Sequence, residues 1–292
     1  MRKLKAIVLG WTYRLATSLP PSLGIWIVNR SLPVKRPVLD YIEFHLADHC
    51  NLNCAGCSHF APYADKRFAD IEKVRRDFNR LKELFSNIRH VRIMGGEPLL
   101  HEDAASFVRL VRTTFPRSNV RVVTNGLKLV AAGNDGFADF LATLKSCGVG
   151  IDWTCYPPVA RHRSDMLRLC HAAGVDLRIT DSDTFWARIR EKGDADPIAS
   201  FRWCRRHVYC PYLDDGRLYL CAQARLSGCY NRASGTDIPV DDGIDIHSAT
   251  AKDILLYLMR PSRTCAYCDA GARYFKWNVD VKPSVWLRNG TP

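Results

Sequence analysis

Cys50-Asn51-Leu52-Asn53-Cys54-Ala55-Gly56-Cys57 places three thiols within eight residues, at C-x3-C-x2-C spacing. Thiols this crowded cannot all pair with one another as disulfides, and an odd count leaves one over. They suit a soft metal or an iron–sulfur cluster. A closed Fe4S4 cluster takes four cysteines and a structural zinc site is also four-coordinate, so three local ligands leave one position open for chemistry. The run follows an extended, apolar-rich stretch at residues 41–46, which predicts a strand with the cysteine loop at its C-terminal end.

From that strand onward the pattern alternates. Helices are predicted at 70–85, 103–115, 137–147 and 164–173, and short buried strands at 91–94, 120–124, 149–154 and 175–180. Repeated βα units argue for a parallel sheet, and five or six of them for an α/β fold of partial (βα)6, TIM-like barrel type. In such barrels the chemistry collects on loops at the C-terminal strand ends. The cysteine loop, Gly95-Gly96-Glu97-Pro98 and Thr124-Asn125-Gly126 all fall there. Beyond residue 194 the rhythm stops and a small cysteine-rich α+β extension is expected. The predicted organisation is an N-terminal helical or linker segment at 1–37, the partial barrel at 38–194 and the extension at 195–292.

The chain of 292 residues is 47% hydrophobic and 25% charged, as expected for a globular protein with ample core. Its net charge of +12 invites a nucleic-acid reading. The basic residues are scattered beside acidic ones, however, and no reader motif is visible, so no nucleic-acid partner is expected. Twelve cysteines in a chain this long are too sparse for a disulfide scaffold, and their clustering reads as metal binding in a reducing, cytoplasmic setting. No apolar run approaches the ~20 residues of a membrane span. Leu4, Ile7, Val8, Trp11 and Leu15 recur at helical spacing among basic residues, which predicts an amphipathic helix packed on the domain, with weak peripheral membrane contact as the alternative.

The three-cysteine motif, with Gly95-Gly96-Glu97-Pro98 some forty residues later, resembles the radical S-adenosylmethionine (radical SAM) superfamily. The resemblance implies that Cys50, Cys54 and Cys57 hold a [4Fe–4S] cluster whose fourth iron is chelated by SAM. One electron from the cluster then cleaves SAM to a 5′-deoxyadenosyl radical that takes a hydrogen atom from substrate. Gly95, Gly96, Glu97 and Pro98 look like the family's GGEP turn, where the glycines allow close backbone approach and the carboxylate accepts from an ammonium. Thr124 and Asn125 resemble its third-strand turn. Asp152 and Thr154 on the fourth strand fall where relatives contact SAM, and Arg178, Thr180 and Asp181 on the fifth where they contact SAM or substrate. Many members carry an aromatic residue just before the third cysteine, against the adenine; Gly56 stands there, so Phe60 is the expected substitute wall. His45, His49 and His59 are expected to be solvated or hydrogen-bonded loop residues rather than ligands, with a substrate role as the alternative for His59.

Cys204, Gly216 and Cys221 fit C-x11-G-x4-C across a hairpin (209–213 and 217–220, with Asp214-Asp215-Gly216 at its turn), and a helix at 251–259 leads to Cys265-Ala-Tyr-Cys268. This resembles the shorter, "twitch" form of the family's auxiliary-cluster extension, with Cys204, Cys221, Cys265 and Cys268 as four ligands. Cys210 or Cys229 remains an alternative to Cys204, and zinc an alternative to a second [4Fe–4S] cluster. Cys147, Cys155 and Cys170 read as buried thiols.

By resemblance, the expected activity is that of a radical SAM oxidoreductase, like the dehydrogenases of aminoglycoside biosynthesis. It would oxidise a small polar substrate such as a carbohydrate or cyclitol, with electrons supplied by a flavodoxin or ferredoxin. Arg178, Asp181 and Tyr156 are the candidates for assisting proton transfer. The alternatives are a peptide-modifying maturase, a sugar dehydratase or epimerase, and a non-catalytic iron–sulfur electron carrier. No leader-binding segment is evident in 1–40, which argues against the peptide option.

Overall fold

A computed structural model describes residues 36–131 and 136–289, together with Leu19 and Leu23 singly. The amphipathic helix expected near the N-terminus lies outside the described residues. Among those described, no helix is long and apolar enough to cross a membrane.

Five strands run parallel, each beside the last: β1 (Val38–Ala47), β2 (Asn87–Gly95), β3 (Asn119–Thr124), β4 (Gly150–Cys155) and β5 (Leu177–Asp181). Between them pass α1 (Ile71–Leu84), α2 (Ala104–Thr114), α3 (Leu127–Ala131), α4 (Ala138–Ser146), α5 (Pro157–Ala160) and α6 (Arg163–Ala173). α1 starts where Asp70 accepts from the N–H groups of Glu72 and Lys73, satisfying two donors that the first turn leaves open. Its Phe78 then meets Phe44 of β1 edge-on, ring centres 5.2 Å apart.

Over their central and C-terminal residues the strands alternate between two faces. Ile42, Phe44 and Leu46, with Val91, Ile93, Val122, Ile151 and Trp153, form one buried face under the helices. The opposite face carries Tyr41, Glu43 and His45 on β1, Arg92 on β2, Arg121 on β3, Asp152 and Thr154 on β4, and Arg178 on β5. Register puts Glu43, Arg92 and Arg121 in one row, and Asp152 beside Arg178. Period-two alternation with helices on a single side leaves this polar face as the interior lining that a partial barrel requires.

The sixth parallel strand, β7 (Tyr212–Asp214), does not follow β5. It pairs with the other edge of β1, through Glu43 and Tyr212, and continues into antiparallel β8 (Arg217–Tyr219) and β9 (Ile244–Asp245). The β7–β8 turn needs two left-handed residues, which Asp215 (φ 46°) and Gly216 (φ 77°) supply. β6 (Thr184–Ile189) and β10 (Cys268–Lys276) form a separate antiparallel pair. Helices α7 (Pro197–His207), α8 (Ala222–Ser234) and α9 (Ala251–Tyr257) follow in the C-terminal part. A second apolar cluster, including Phe60, Tyr212, Tyr230, Phe275 and Trp286, sits between the cysteine loop and the C-terminal residues.

Candidate active site between two cysteine groups

The loops leaving β1, β2 and β3 are bolted together by backbone contacts. Gly96 N donates to Ala47 O at 2.8 Å and Glu97 N to His49 O at 3.1 Å, so the Gly-Gly turn holds the entry to the cysteine loop. A Cβ on Gly96 would stand 2.6 Å from the Asp48 oxygen and closer still to the His49 carbonyl. The glycines thus admit another stretch of this chain, where the sequence suggested close approach of a ligand.

Glu97 is fully buried. Its Oε1 accepts from Leu99 N (3.0 Å) and Thr124 Oγ1 (2.7 Å), and its Oε2 from Asn125 N (2.9 Å). Burial pushes the carboxyl up to about 7 while these donors act against it. The carboxylate thereby positions the Thr124–Asn125 turn. That turn reaches the cysteine loop: Asn125 Nδ2 donates to Asn51 Oδ1 at 2.8 Å and lies 3.6 Å from Cys50 Sγ, while Trp153 Nε1 fixes Asn125 O at 2.7 Å.

Cys50, Cys54 and Cys57 border one cavity of about 230 Å³, with Asn125, Thr154 and Tyr156 on its far walls. Burial pushes the Cys50 thiol up to about 12 and Cys54 to about 11, and raises Cys57 as well. Three buried thiols around one space, with N–H donors already on Cys50 (Leu52 N, 3.4 Å) and Cys54 (Trp277 Nε1, 3.1 Å), fit a cationic metal cluster that displaces their protons. Thr154 and Tyr156 therefore join the cysteines. Asp152 does not: Arg92 and Arg121 hold its carboxylate in the polar face below. Arg178 lies exposed on the β5 edge. Asp181 points to the helix side, where Arg163 pairs with it, so it cannot serve this cavity.

The position of Gly56 (φ 74°) is explained by Phe275. A Cβ there would meet the tip of that ring at 2.5 Å, so an aromatic residue from β10 occupies the space. Phe60, the wall expected from sequence, is wholly buried in the second apolar cluster against Tyr230, ring centres 5.4 Å apart, and faces away. Phe185 of β6 lines the cavity instead, 5.6 Å from the Tyr156 ring.

A second cavity of about 280 Å³ is lined by Cys204, Cys210, Cys221 and Cys268, and shares Ser58 and His59 with the first. Cys265 lies close enough to Cys204, Cys221 and Cys268 for their charges to interact. Cys210 thus enters the group, while Cys229 lies outside it with its sulfur 3.7 Å from Arg232. Burial pushes Cys268 up to about 12, with Arg188 acting in the opposite direction. Among the described residues no three His, Cys, Asp or Glu side chains are packed closely enough to hold a single metal ion; the sulfurs border open cavities instead.

Glu43, which the sequence reading passed over, lines the second cavity. Tyr41 donates to its Oε2 at 2.9 Å, but Oε1 has no hydrogen-bond partner among the described residues and stands 3.8 Å from His59 Nε2. Burial pushes the Glu43 carboxyl up to about 8 and His59 down to about 3, so the imidazole is neutral. The signal was present in Tyr41-Ile42-Glu43-Phe44-His45, where every second residue is polar.

Residues 45–164 match the Radical SAM superfamily model. The chain thus carries a radical SAM domain at residues 45–164, and domains of this class hold a [4Fe–4S] cluster and bind SAM. Among curated proteins it is similar to the GTP 3′,8-cyclase of Heliobacterium modesticaldum, 36% identical over 118 residues, covering 37% of this chain and 35% of the relative. It is also similar to the GTP 3′,8-cyclase of Sulfurimonas denitrificans, 31% identical over 131 residues, covering 42% and 37%. The chain spans about a third of the length of these relatives. Similar solved structures include BtrN in complex with AdoMet and 2-DOIA (15% identity, TM-score 0.48, 88% of this chain and 98% of that one). Another is anSMEcpe with AdoMet and the Cp18Cys peptide (12%, TM-score 0.39, 80% and 82%). Likeness at this level bears on neither substrate nor chemistry.

Proposed function

We propose that this enzyme oxidises a small polar substrate, a carbohydrate or cyclitol alcohol, in the space between its two cysteine groups. The observation that carries this reading is the adjoining of two cysteine-lined cavities across Ser58 and His59. A cluster on Cys50, Cys54 and Cys57 would supply the electron that cleaves SAM and so the radical that removes one hydrogen atom from substrate. Net oxidation requires two further departures, a proton and a second electron. Glu43 Oε1, buried and without a hydrogen-bond partner among the described residues, is placed to take the hydroxyl proton once the carboxyl, pushed up to about 8, has ionised, with Tyr41 orienting it through Oε2. Neutral His59 offers a ring nitrogen for positioning. Cys204, Cys210, Cys221, Cys265 and Cys268 provide more thiols than a four-ligand auxiliary cluster needs, and such a cluster held there would supply an acceptor for the second electron.

In this reading 38–194 serves SAM and 195–292 the second cysteine group, although β7 to β9 of the latter extend the sheet of the former. A reducing cytoplasmic setting and a flavodoxin or ferredoxin as electron donor suit such clusters. The test is anaerobic reconstitution and incubation with SAM, a reductant and candidate cyclitols, with GTP run in parallel because the curated relatives are GTP 3′,8-cyclases. Roughly eight irons per chain, 5′-deoxyadenosine release and a ketone product support the reading. Four irons with one zinc, or turnover of GTP alone, overturn it, and absence of deoxyadenosine favours an electron carrier.

A further inference from the structure

The residues following Cys268 cross the loop of the first cysteine group and touch residues 54–57 in turn. Trp277 Nε1 donates to Cys54 Sγ at 3.1 Å, and Ala55 N donates to Asn278 O at 3.0 Å. The Phe275 ring covers Gly56, and Trp286 Nε1 donates to Cys57 O at 2.9 Å. Only the Trp277 contact reaches a sulfur. An indole N–H is a donor and nothing else, so the direction of this bond is fixed by chemistry. Its place is fixed by the fold: Phe275 pairs with Phe185 and Lys276 with Thr184, and Trp277 N donates to Asp183 O at 2.8 Å, so the backbone is pinned up to the indole itself.

We propose that Trp277 is a positioning residue that raises the reduction potential of the cluster on Cys50, Cys54 and Cys57, through its hydrogen bond to the Cys54 sulfur. This rests on the reading that those three thiolates hold an iron–sulfur cluster. Reduction adds one negative charge, shared between iron and sulfur. An N–H dipole aimed at a ligand sulfur therefore stabilises the reduced form more than the oxidised one, and hydrogen bonds to sulfur are among the levers that set such potentials. Burial enlarges the effect, because a low local dielectric strengthens each electrostatic contact. The C-terminal extension thereby acts on the radical-generating site as well as building the second one.

Three variants separate this from a packing role: Trp277→Phe removes the donor, Trp277→His keeps a ring N–H, and Trp286→Phe removes a donor that reaches a carbonyl instead of sulfur. The readout is a redox titration of the reconstituted protein followed by electron paramagnetic resonance, the first cluster being recognised by its change on adding SAM. In Trp277→Phe the ratio of reduced to oxidised cluster at a fixed potential should fall roughly tenfold, equal to a midpoint about 59 mV lower for one electron. Trp277→His should recover part of the shift, and Trp286→Phe should show none. An unchanged midpoint in Trp277→Phe at full iron content overturns the proposal. Should that variant fail to fold, the wild-type chain labelled with indole-15N tryptophan decides: a 15N coupling to the reduced cluster supports the bond, and its absence overturns it. Equal iron loading in wild type and Cys54→Ala would instead remove the cluster assignment beneath both.

Discussion

Gly96→Ala is the sharpest test of how the cysteine loop is held. The added Cβ would fall 2.6 Å from the Asp48 oxygen and nearer to the His49 carbonyl, and these are backbone atoms that cannot rotate away. Either the β2 turn or residues 48–49 must retreat, and His49 adjoins the first ligand, Cys50. Retreat strains the Gly96–Ala47 and Glu97–His49 hydrogen bonds, each worth about 0.5–1.5 kcal/mol. Overpacking adds about 1–3 kcal/mol, for a total near 2–6 kcal/mol. At about 2 °C for each kcal/mol in a chain of this size, thermal unfolding of the iron-free protein should drop by roughly 4–12 °C. Reconstituted iron should fall with it, because Cys50 is displaced. Gly235→Ala is the comparison: its φ of 72° is strained for alanine, but a Cβ there meets nothing within 4 Å. It should cost about 1 kcal/mol and leave iron binding intact. If Gly96→Ala unfolds with the wild type and loads as much iron, the glycine is not there to admit the loop.

In the iron-free protein, stability should fall as pH rises from about 4.5 to about 8. Glu43 keeps its proton in the fold over that window while the unfolded chain has released it, at a cost of up to about 4–5 kcal/mol. Glu43→Gln should flatten that part of the slope in urea titrations between pH 5 and 9; an unaltered slope refutes a proton held on Glu43. Thr124→Val removes the donor to Glu97 and the acceptor for Gly126 N, so it should destabilise by about 1–3 kcal/mol, with Thr124→Ser close to wild type. A Val variant as stable as Ser would show that the hydroxyl does not organise the turn. Cys229→Ala should keep the full iron content, whereas Cys221→Ala should lose the second site's share. Loss of iron in Cys229→Ala would return that thiol to the ligand set.

Much of the barrel was legible because each strand and helix announces itself locally. Asp70 caps α1 where the sequence places a helix start, and the apolar strands fall at C-terminal ends that carry cysteine, Gly-Gly-Glu and Asn-Gly in succession. The β6–β10 pair was not legible, since its strands are some eighty residues apart and either could pass for irregular chain. Nor could spacing rank Cys204, Cys210 and Cys229: the first lies on α7, the second before β7 and the third on α8, and only folding shows that the first two share a cavity.

The sequence by itself determined the chemistry available at the head of the barrel, because three cysteines within eight residues and a Gly-Gly-Glu turn are local facts of covalent spacing. Tertiary structure decided how those groups are used. It turned Glu97 onto Thr124 and Asn125, laid Phe275 over Gly56 and Trp277 on Cys54, and faced Glu43 toward a second cavity. Each of these joins residues tens to hundreds of positions apart, whose approach depends on which faces the apolar core leaves free.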